Sequence, residues 1–221
     1  MSNTIGPTNS MAQGQGALPS TGKPRILTRL REETRALHEK LEKKSPLQRL
    51  FQPGVSLDDY KGIIIKFYGL YKALEPKLVE AKDRLGLDFN LEPRLKMQLL
   101  ERDLKALGMS ADEISQLPIC ADLPTLNTAE DVLGCLYVIE GSTLGGQFIS
   151  RQLNNTFSLD ENNGAAFFNG YGSETGPMWK SFGEFLVANA KTPSSENKIV
   201  KSASSTFNKI GEWLSIDKSV V

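Results

Sequence analysis

VIEGSTLGGQFISRQL, residues 138–153, continues an apolar helical pattern that begins at Thr128, and its reading decides the fold. Thr128 followed three residues on by Asp131 is a capping pair, so the pattern predicts one helix from Thr128 to Asn154, about 37 Å long. Gly141, Gly145 and Gly146 stand where a helix least favours them. Each glycine costs about 1 kcal/mol relative to alanine, so the three together cost roughly 2–3 kcal/mol. Two uses for that cost are open. One is close helix packing or a bend; the other is backbone approach to a flat ligand, which a missing Cβ permits. Spacing alone does not separate them. Ser142 and Thr143 add hydroxyls that either hold water in such a site or bond the carbonyl one turn back.

Outward from this stretch the chain reads as helical throughout. Ile26, Leu27, Leu30, Leu37 and Leu41 recur at helical steps until Pro46, and a second helix follows the Ser56–Asp59 capping signal towards Gly86. Others are predicted from near Leu91 to Gly108, and from Ser110 to just before Pro118. After an Asn- and Gly-rich loop, Pro177 opens a helix carrying Trp179 and Phe182, and a last helix carries Val200, Phe207, Ile210 and Trp213. No alternating strand and no internal repeat is seen, so the expected fold class is all-α. Residues 1–24 hold too few large apolar groups to offset the entropy of ordering and read as a flexible tail, which leaves 25–221 as one helical domain.

Charge and cysteine usage narrow the function. Lys and Arg balance Asp and Glu at 26 each, and no basic run is present, which argues against a nucleic-acid partner. Cys120 and Cys135 lie far apart without a CxxC spacing, which suits a reducing cytoplasm. No unbroken apolar run of about 18 residues and no secretory signal is seen, so the expectation is a cytoplasmic protein with no membrane segment.

His38 is the single histidine, on the same face of the first helix as Leu30, Leu37 and Leu41. A lone histidine on a helix is more often structural than a ligand. Glu42, one turn on, favours the second role, because a carboxylate that holds one ring nitrogen leaves the other to face a metal. One histidine is too few for a di-iron site and for most catalytic zinc sites, whereas haem iron needs one protein ligand and an open face.

Residues 30–42, LREETRALHEKLE, resemble the proximal helix of haem oxygenases, and residues 137–146, YVIEGSTLGG, resemble the distal helix of their bacterial branch, especially members associated with bacteriophytochromes. The resemblance implies a haem oxygenase-like helical fold with haem (iron protoporphyrin IX), as substrate and cofactor, sandwiched between those two helices. It implies His38 as axial iron ligand, Glu42 as its partner, and Gly141 and Gly145 as a kink of the distal helix over the ring. Arg31 and Lys180 are implied as contacts for the haem propionates, and Tyr137, Gly146 and Phe207 as further cofactor contacts. Gly141, Ser142 and Gly145 are the implied catalytic positions. Ser142 stands where many members have an aspartate, so proton delivery must use water, hydroxyls or exposed backbone.

The implied reaction is oxidative opening of the haem ring with O2 to biliverdin, carbon monoxide and ferrous iron. The chain has neither a Rossmann glycine fingerprint nor iron–sulfur cysteine spacing, so electrons must come from a ferredoxin, a flavodoxin or a reductase. Basic residues outnumber acidic ones between Lys23 and Arg49, a candidate docking face, and a bacteriophytochrome is the implied consumer of the product. Two alternatives stand beside this reading: a non-catalytic haem or bilin carrier using the same cleft, and a helical enzyme with Cys135 as nucleophile. The second lacks a histidine to serve as base.

Overall fold

The computed structural model describes residues 25–215; the tail expected over residues 1–24 lies outside the described residues, as do residues 216–221. Eight α-helices and three short 3-10 turns make up the fold, with no strand among the described residues.

Local chemistry sets most helix ends. The first helix, α1 (Arg25–Lys44), stops before Pro46, which opens a 3-10 turn at Pro46–Phe51. The second, α2 (Leu57–Arg84), is closed by a reciprocal cap: Asp59 N–H donates to Ser56 Oγ at 3.1 Å, and Ser56 N–H donates to the Asp59 carboxylate at 3.0 Å. Ser110 and Glu113 repeat that cap on α4 (Ala111–Ser115), and Thr128 and Asp131 repeat it on α5 (Ala129–Phe157). The last of these ends three residues beyond the expected Asn154, where Ser158 turns left-handed at φ 55°.

Two segments depart from expectation because their backbone partners come from elsewhere in the chain. The helix expected from Leu91 starts only at Met97, as α3 (Met97–Ala106), after a 3-10 turn at Glu92–Arg94 that contains Pro93. Its first N–H groups, from Lys96 and Met97, donate to the Glu75 carboxylate of α2. The expected loop after α5 contains a short helix, α6 (Ala166–Asn169), because the buried Asp103 carboxylate accepts the N–H groups of Ala166 and Phe167 at 2.8 Å each. Two longer helices complete the bundle, α7 (Thr175–Asn189), which starts two residues before Pro177, and α8 (Pro193–Ser215).

α5 is the central helix. It packs most extensively on α8, which in turn carries α1 on another side. Val132, Leu133, Cys135 and Leu136 of α5 are buried, as are Ile199, Ala203 and Thr206 of α8. Gly134 lets the two backbones touch: a Cβ there would lie 2.5 Å from Ser202 Cβ and 2.6 Å from the Ile199 carbonyl. Ser202 Oγ seals the contact by donating to the Asp131 carbonyl at 2.8 Å. Contrary to the expectation of no long apolar run, α5 is long and apolar enough to cross a membrane by length and composition, with mean hydropathy 1.3 over its best window. Half of that window is buried inside the protein, as befits the core helix of a bundle.

The three glycines of the opening stretch have different surroundings. A Cβ on Gly146 would lie 2.8 Å from the Phe168 carbonyl of α6, so that glycine serves packing. A Cβ on Gly141 would meet only the Trp179 ring, at an ordinary 3.6 Å, and one on Gly145 would meet nothing within 4 Å. Helical hydrogen bonding runs through all three without a break. Urea unfolding of the protein without ligand should therefore separate neighbours: Gly146→Ala is expected to lose about 1–3 kcal/mol through overpacking, and Gly145→Ala to gain up to about 1 kcal/mol of helix propensity.

Candidate functional site

α1 and α5 are joined at two places. At one end Tyr137 of α5 meets Thr34 of α1, with Arg31 close enough to favour the ionised phenol, although burial still pushes the Tyr137 hydroxyl up. At the other end the 3-10 turn after α1 returns to α5: Gln152 Nε2 donates to the Leu50 carbonyl at 3.2 Å, and the Phe51 and Phe148 rings stack with centroids 5.3 Å apart. Tyr137 and Phe148 are separated by about 16 Å of helix. Between these ties α5 presents Gly141, Leu144 and Gly145, and α1 carries His38.

The His38 ring is held from two sides. Its Nδ1 lies 3.6 Å from Glu42 Oε1, and its edge meets the Phe207 ring of α8 at a centroid distance of 5.8 Å. The side chain stays 54% exposed, and among the described residues no protein group engages Nε2. Phe207 is itself buried. Leu144, Phe148 and Phe51 are exposed, with Phe148 at 62%, and Gly145 is bare backbone. These apolar surfaces, one free imidazole nitrogen and a helix without Cβ groups fit a flat apolar ring that carries a metal. Arg31 at the Tyr137 end is exposed and supplies a guanidinium for a carboxylate.

Other residues singled out from the sequence lie differently. Gly146 is buried and faces Phe168, so it turns away from the open side of α5. Lys180 follows Trp179 on α7, but its side chain is 81% exposed and lies 3.9 Å from Glu184. Ser142 Oγ donates to the Ile139 carbonyl at 2.7 Å, and Thr143 Oγ1 to the Glu140 carbonyl at 2.6 Å, so both hydroxyls bond the turn behind them. Cys135 is fully buried, and burial pushes its thiol up to about 12, which removes it as a nucleophile.

Sequence reasoning missed the polar cluster behind the distal helix. Glu140, buried in α5, pairs with the Arg94 guanidinium and accepts from the Tyr171 hydroxyl at 2.8 Å. Arg94 also donates to the Met178 carbonyl at 3.2 Å and stacks over the Phe89 ring at 4.6 Å. The Lys96 ammonium sits 3.3 Å from the centre of the Tyr171 ring. Burial pushes the Glu140 and Glu75 carboxyls up, opposed for Glu140 chiefly by Arg94 and for Glu75 by the two N–H groups it caps. Burial also pushes the Lys96 ammonium down to about 8, against the pull of Glu140 and Glu75. One signal was available: Glu140 is the lone acid in an apolar run, and an acid there needs a partner. The exposure of Phe51, Leu144 and Phe148 was also missed, because nothing in a one-dimensional pattern marks an apolar residue as uncovered.

The family profile described as Heme oxygenase matches residues 25–215. Heme oxygenase PigA of Pseudomonas aeruginosa is 30% identical over 186 residues, which cover 84% of this chain and 89% of that protein. Among solved structures, heme oxygenase from Leptospira interrogans superposes with a TM-score of 0.71 at 18% identity, covering 86% of this chain and 98% of its own. The NO- and CO-bound heme oxygenase from Neisseria meningitidis gives 0.68 at 23% identity, with coverage of 88% and 94%. Heme oxygenase-1 from Synechocystis sp. PCC6803, solved in complex with heme, gives 0.64 at 19% identity, with coverage of 86% and 90%. These structures share the all-helical fold, and with a family profile that spans the whole described chain and a relative at 30% identity, the chain belongs to the haem oxygenase family.

Proposed function

We propose that the chain holds haem between α1 and α5, with His38 Nε2 as the iron ligand, and opens its ring with O2 to biliverdin, carbon monoxide and ferrous iron. The observation that carries this reading is the exposed His38 imidazole, with Nδ1 beside Glu42 and Nε2 free, on the helix that, with the turn after it, contacts α5 on either side of the stretch whose backbone lies bare at Gly145. Haem, when bound, supplies the iron that activates oxygen and the ring that is cut.

The chain's own residues supply position. Glu42, with Oε1 3.6 Å from Nδ1, keeps that ring edge turned towards a carboxylate and Nε2 turned away from it; the Phe207 ring limits rotation of the imidazole. Gly141 and Gly145 let the distal backbone lie close to the ring, and the exposed Leu144, Phe148 and Phe51 cover its apolar surface. Arg31 at the rim pairs with a propionate, and Lys180 offers a second, weaker cation; their placement helps decide which edge of the ring lies under the distal helix. Gly146 acts indirectly, by seating α5 on α6.

Electrons reach the site from a separate acidic protein, a ferredoxin, flavodoxin or reductase. Supporting this, Arg35, Lys40, Lys43 and Lys44 are exposed along α1 and its end. A cytoplasmic location suits the two free, buried cysteines, and similarity to the bacteriophytochrome-associated branch favours chromophore supply as the purpose. A carrier without turnover is the second reading, favoured by the back-bonded hydroxyls of Ser142 and Thr143, whose own protons are already committed.

Absorption titration with haemin should saturate at one equivalent, and adding a reductase system should replace the Soret band with biliverdin absorption. A carrier would keep its Soret band. His38→Ala should change the ferric spectrum, with recovery on adding imidazole; an unchanged spectrum would remove His38 as ligand. Gly145→Phe fills the space over the ring, so haemin affinity should fall at least about tenfold, roughly 1.4 kcal/mol, while circular dichroism of the unliganded protein stays native.

A further inference from the structure

Tyr137, Gly141 and Gly145 follow one another at four-residue steps, so they lie along one side of α5. Trp179 of α7 covers the first part of that side. Its ring centre is 5.8 Å from that of Tyr137, and its six-membered ring lies 3.6 Å from the point a Gly141 Cβ would occupy. One turn further on, at Gly145, nothing stands within 4 Å of such a point. The half-buried Trp179 ring is therefore where cover ends and bare backbone begins. The next aromatic group on that side of α5 is Phe148, stacked on Phe51 and about 10 Å from Gly141 along the helix axis. An aromatic ring thus stands at each end of the open stretch.

Arg94 sets the position of the first of these rings. One arm of its buried guanidinium pairs with Glu140, the residue before Gly141; another donates at 3.2 Å to the carbonyl of Met178, the residue before Trp179. A guanidinium reaches both because its N–H groups are fixed in a planar fork, which an ammonium does not reproduce. Arg94 also lies over the Phe89 ring at 4.6 Å, and Phe89 stacks on Phe185 of α7 at 4.5 Å. Residues 89–94 accordingly strap α7 to α5 beside Gly141. Glu140 answers the charge of Arg94, whereas the bond to the Met178 carbonyl fixes backbone one residue from Trp179, which the charge alone does not require.

We infer that Trp179 is a specificity-determining residue, the wall against which the edge of the haem ring comes to rest, so that it fixes rotation of the ring in its plane and with it the bridging carbon that is opened. Arg94 acts through Trp179, as a positioning residue. The inference rests on the proposed binding of haem between α1 and α5. A flat ring held by one axial bond to His38 is free to turn about that bond, and only contacts at its rim stop it. One aromatic contact contributes about 0.5–1.5 kcal/mol beyond the area it buries, enough to favour one orientation by about two- to tenfold.

The first test needs no turnover. The chain has two tryptophans, and Trp213 is engaged elsewhere, its Nε1 donating to the Lys66 carbonyl of α2 at 2.7 Å. Fluorine NMR of fluorotryptophan-labelled protein, assigned with Trp179→Phe, is read before and after saturation with zinc protoporphyrin IX, whose metal has no redox chemistry. The Trp179 signal should shift through the ring current of the bound macrocycle, while the Trp213 signal holds its place. An unmoved Trp179 signal in the saturated complex would overturn the contact; absence of binding by both zinc protoporphyrin and haemin would overturn the haem reading itself. The second test separates the biliverdin isomers formed by the haemin-loaded protein with a reductase. Trp179→Ala should move the isomer ratio by about two- to tenfold, and Trp179→Phe should restore most of it, with the circular dichroism of each variant native. Arg94→Lys keeps a cation for Glu140 but frees the Met178 carbonyl, so it should move the ratio in the same direction and add little to Trp179→Ala. If Arg94→Lys does not fold, the pair is replaced together, as Arg94→Met with Glu140→Leu. A wild-type ratio in Trp179→Ala would overturn the inference, and additive effects of the two substitutions would overturn the route from Arg94 through Trp179. A wild-type chain that binds haemin and never opens it would overturn the ring-opening reading and the choice of carbon with it, an outcome told apart from failure of the contact by the NMR titration.

Discussion

Glu140 is a carboxylate in the middle of an apolar helix, and its charge has to be answered inside the protein. An ionised group there without partners would cost several kcal/mol, and removing one member of a buried pair typically costs about 3–5 kcal/mol. Arg94 and Tyr171 supply the answer, and each is delivered by a segment with little regular structure of its own: Arg94 by the turn ahead of α3, Tyr171 by the stretch between α6 and α7. The pairing therefore ties these irregular segments to the central helix. It also fixes rotation of α5 about its axis, because Glu140 points into the protein while Ser142 and Gly145 are left on the exposed side.

The same helix is held from behind by two backbone contacts that only glycine permits, Gly134 against α8 and Gly146 against the Phe168 carbonyl of α6. Asp103 contributes at one remove, since it accepts the backbone N–H groups that shape α6 and so sets the position of Phe168. The other face of α5 is left partly open. Leu144 and Phe148 remain largely exposed although they belong to an otherwise core-forming helix, and exposed apolar surface is what a large apolar ligand requires.

Much of this was legible from residue order. The capping pairs at Ser56, Ser110 and Thr128 mark helix starts because the interaction that ends a helix lies within three residues of it. The His38–Glu42 pair was readable for the same reason, one turn of helix bringing the two side chains together. Where Leu91 was expected to open a helix, the controlling partner was Glu75, on another helix; where a loop was expected, Asp103 built α6. Lys96 is only 4% exposed, against a tyrosine 75 residues away (171 − 96), and no local pattern marks that burial.

The glycines of VIEGSTLGGQFISRQL show where the boundary falls. Residue order by itself determined that this stretch is helical, that it is long, and that three positions forgo a side chain at a cost in helix stability. It could not assign their uses, since Gly145 and Gly146 are neighbours of identical chemistry. A rotation of about 100° around the helix axis separates them, so that one meets a carbonyl of α6 and the other meets open space. Only the tertiary structure decides what stands on each side, because contacts between distant segments depend on how every helix is seated, and no local pattern records that.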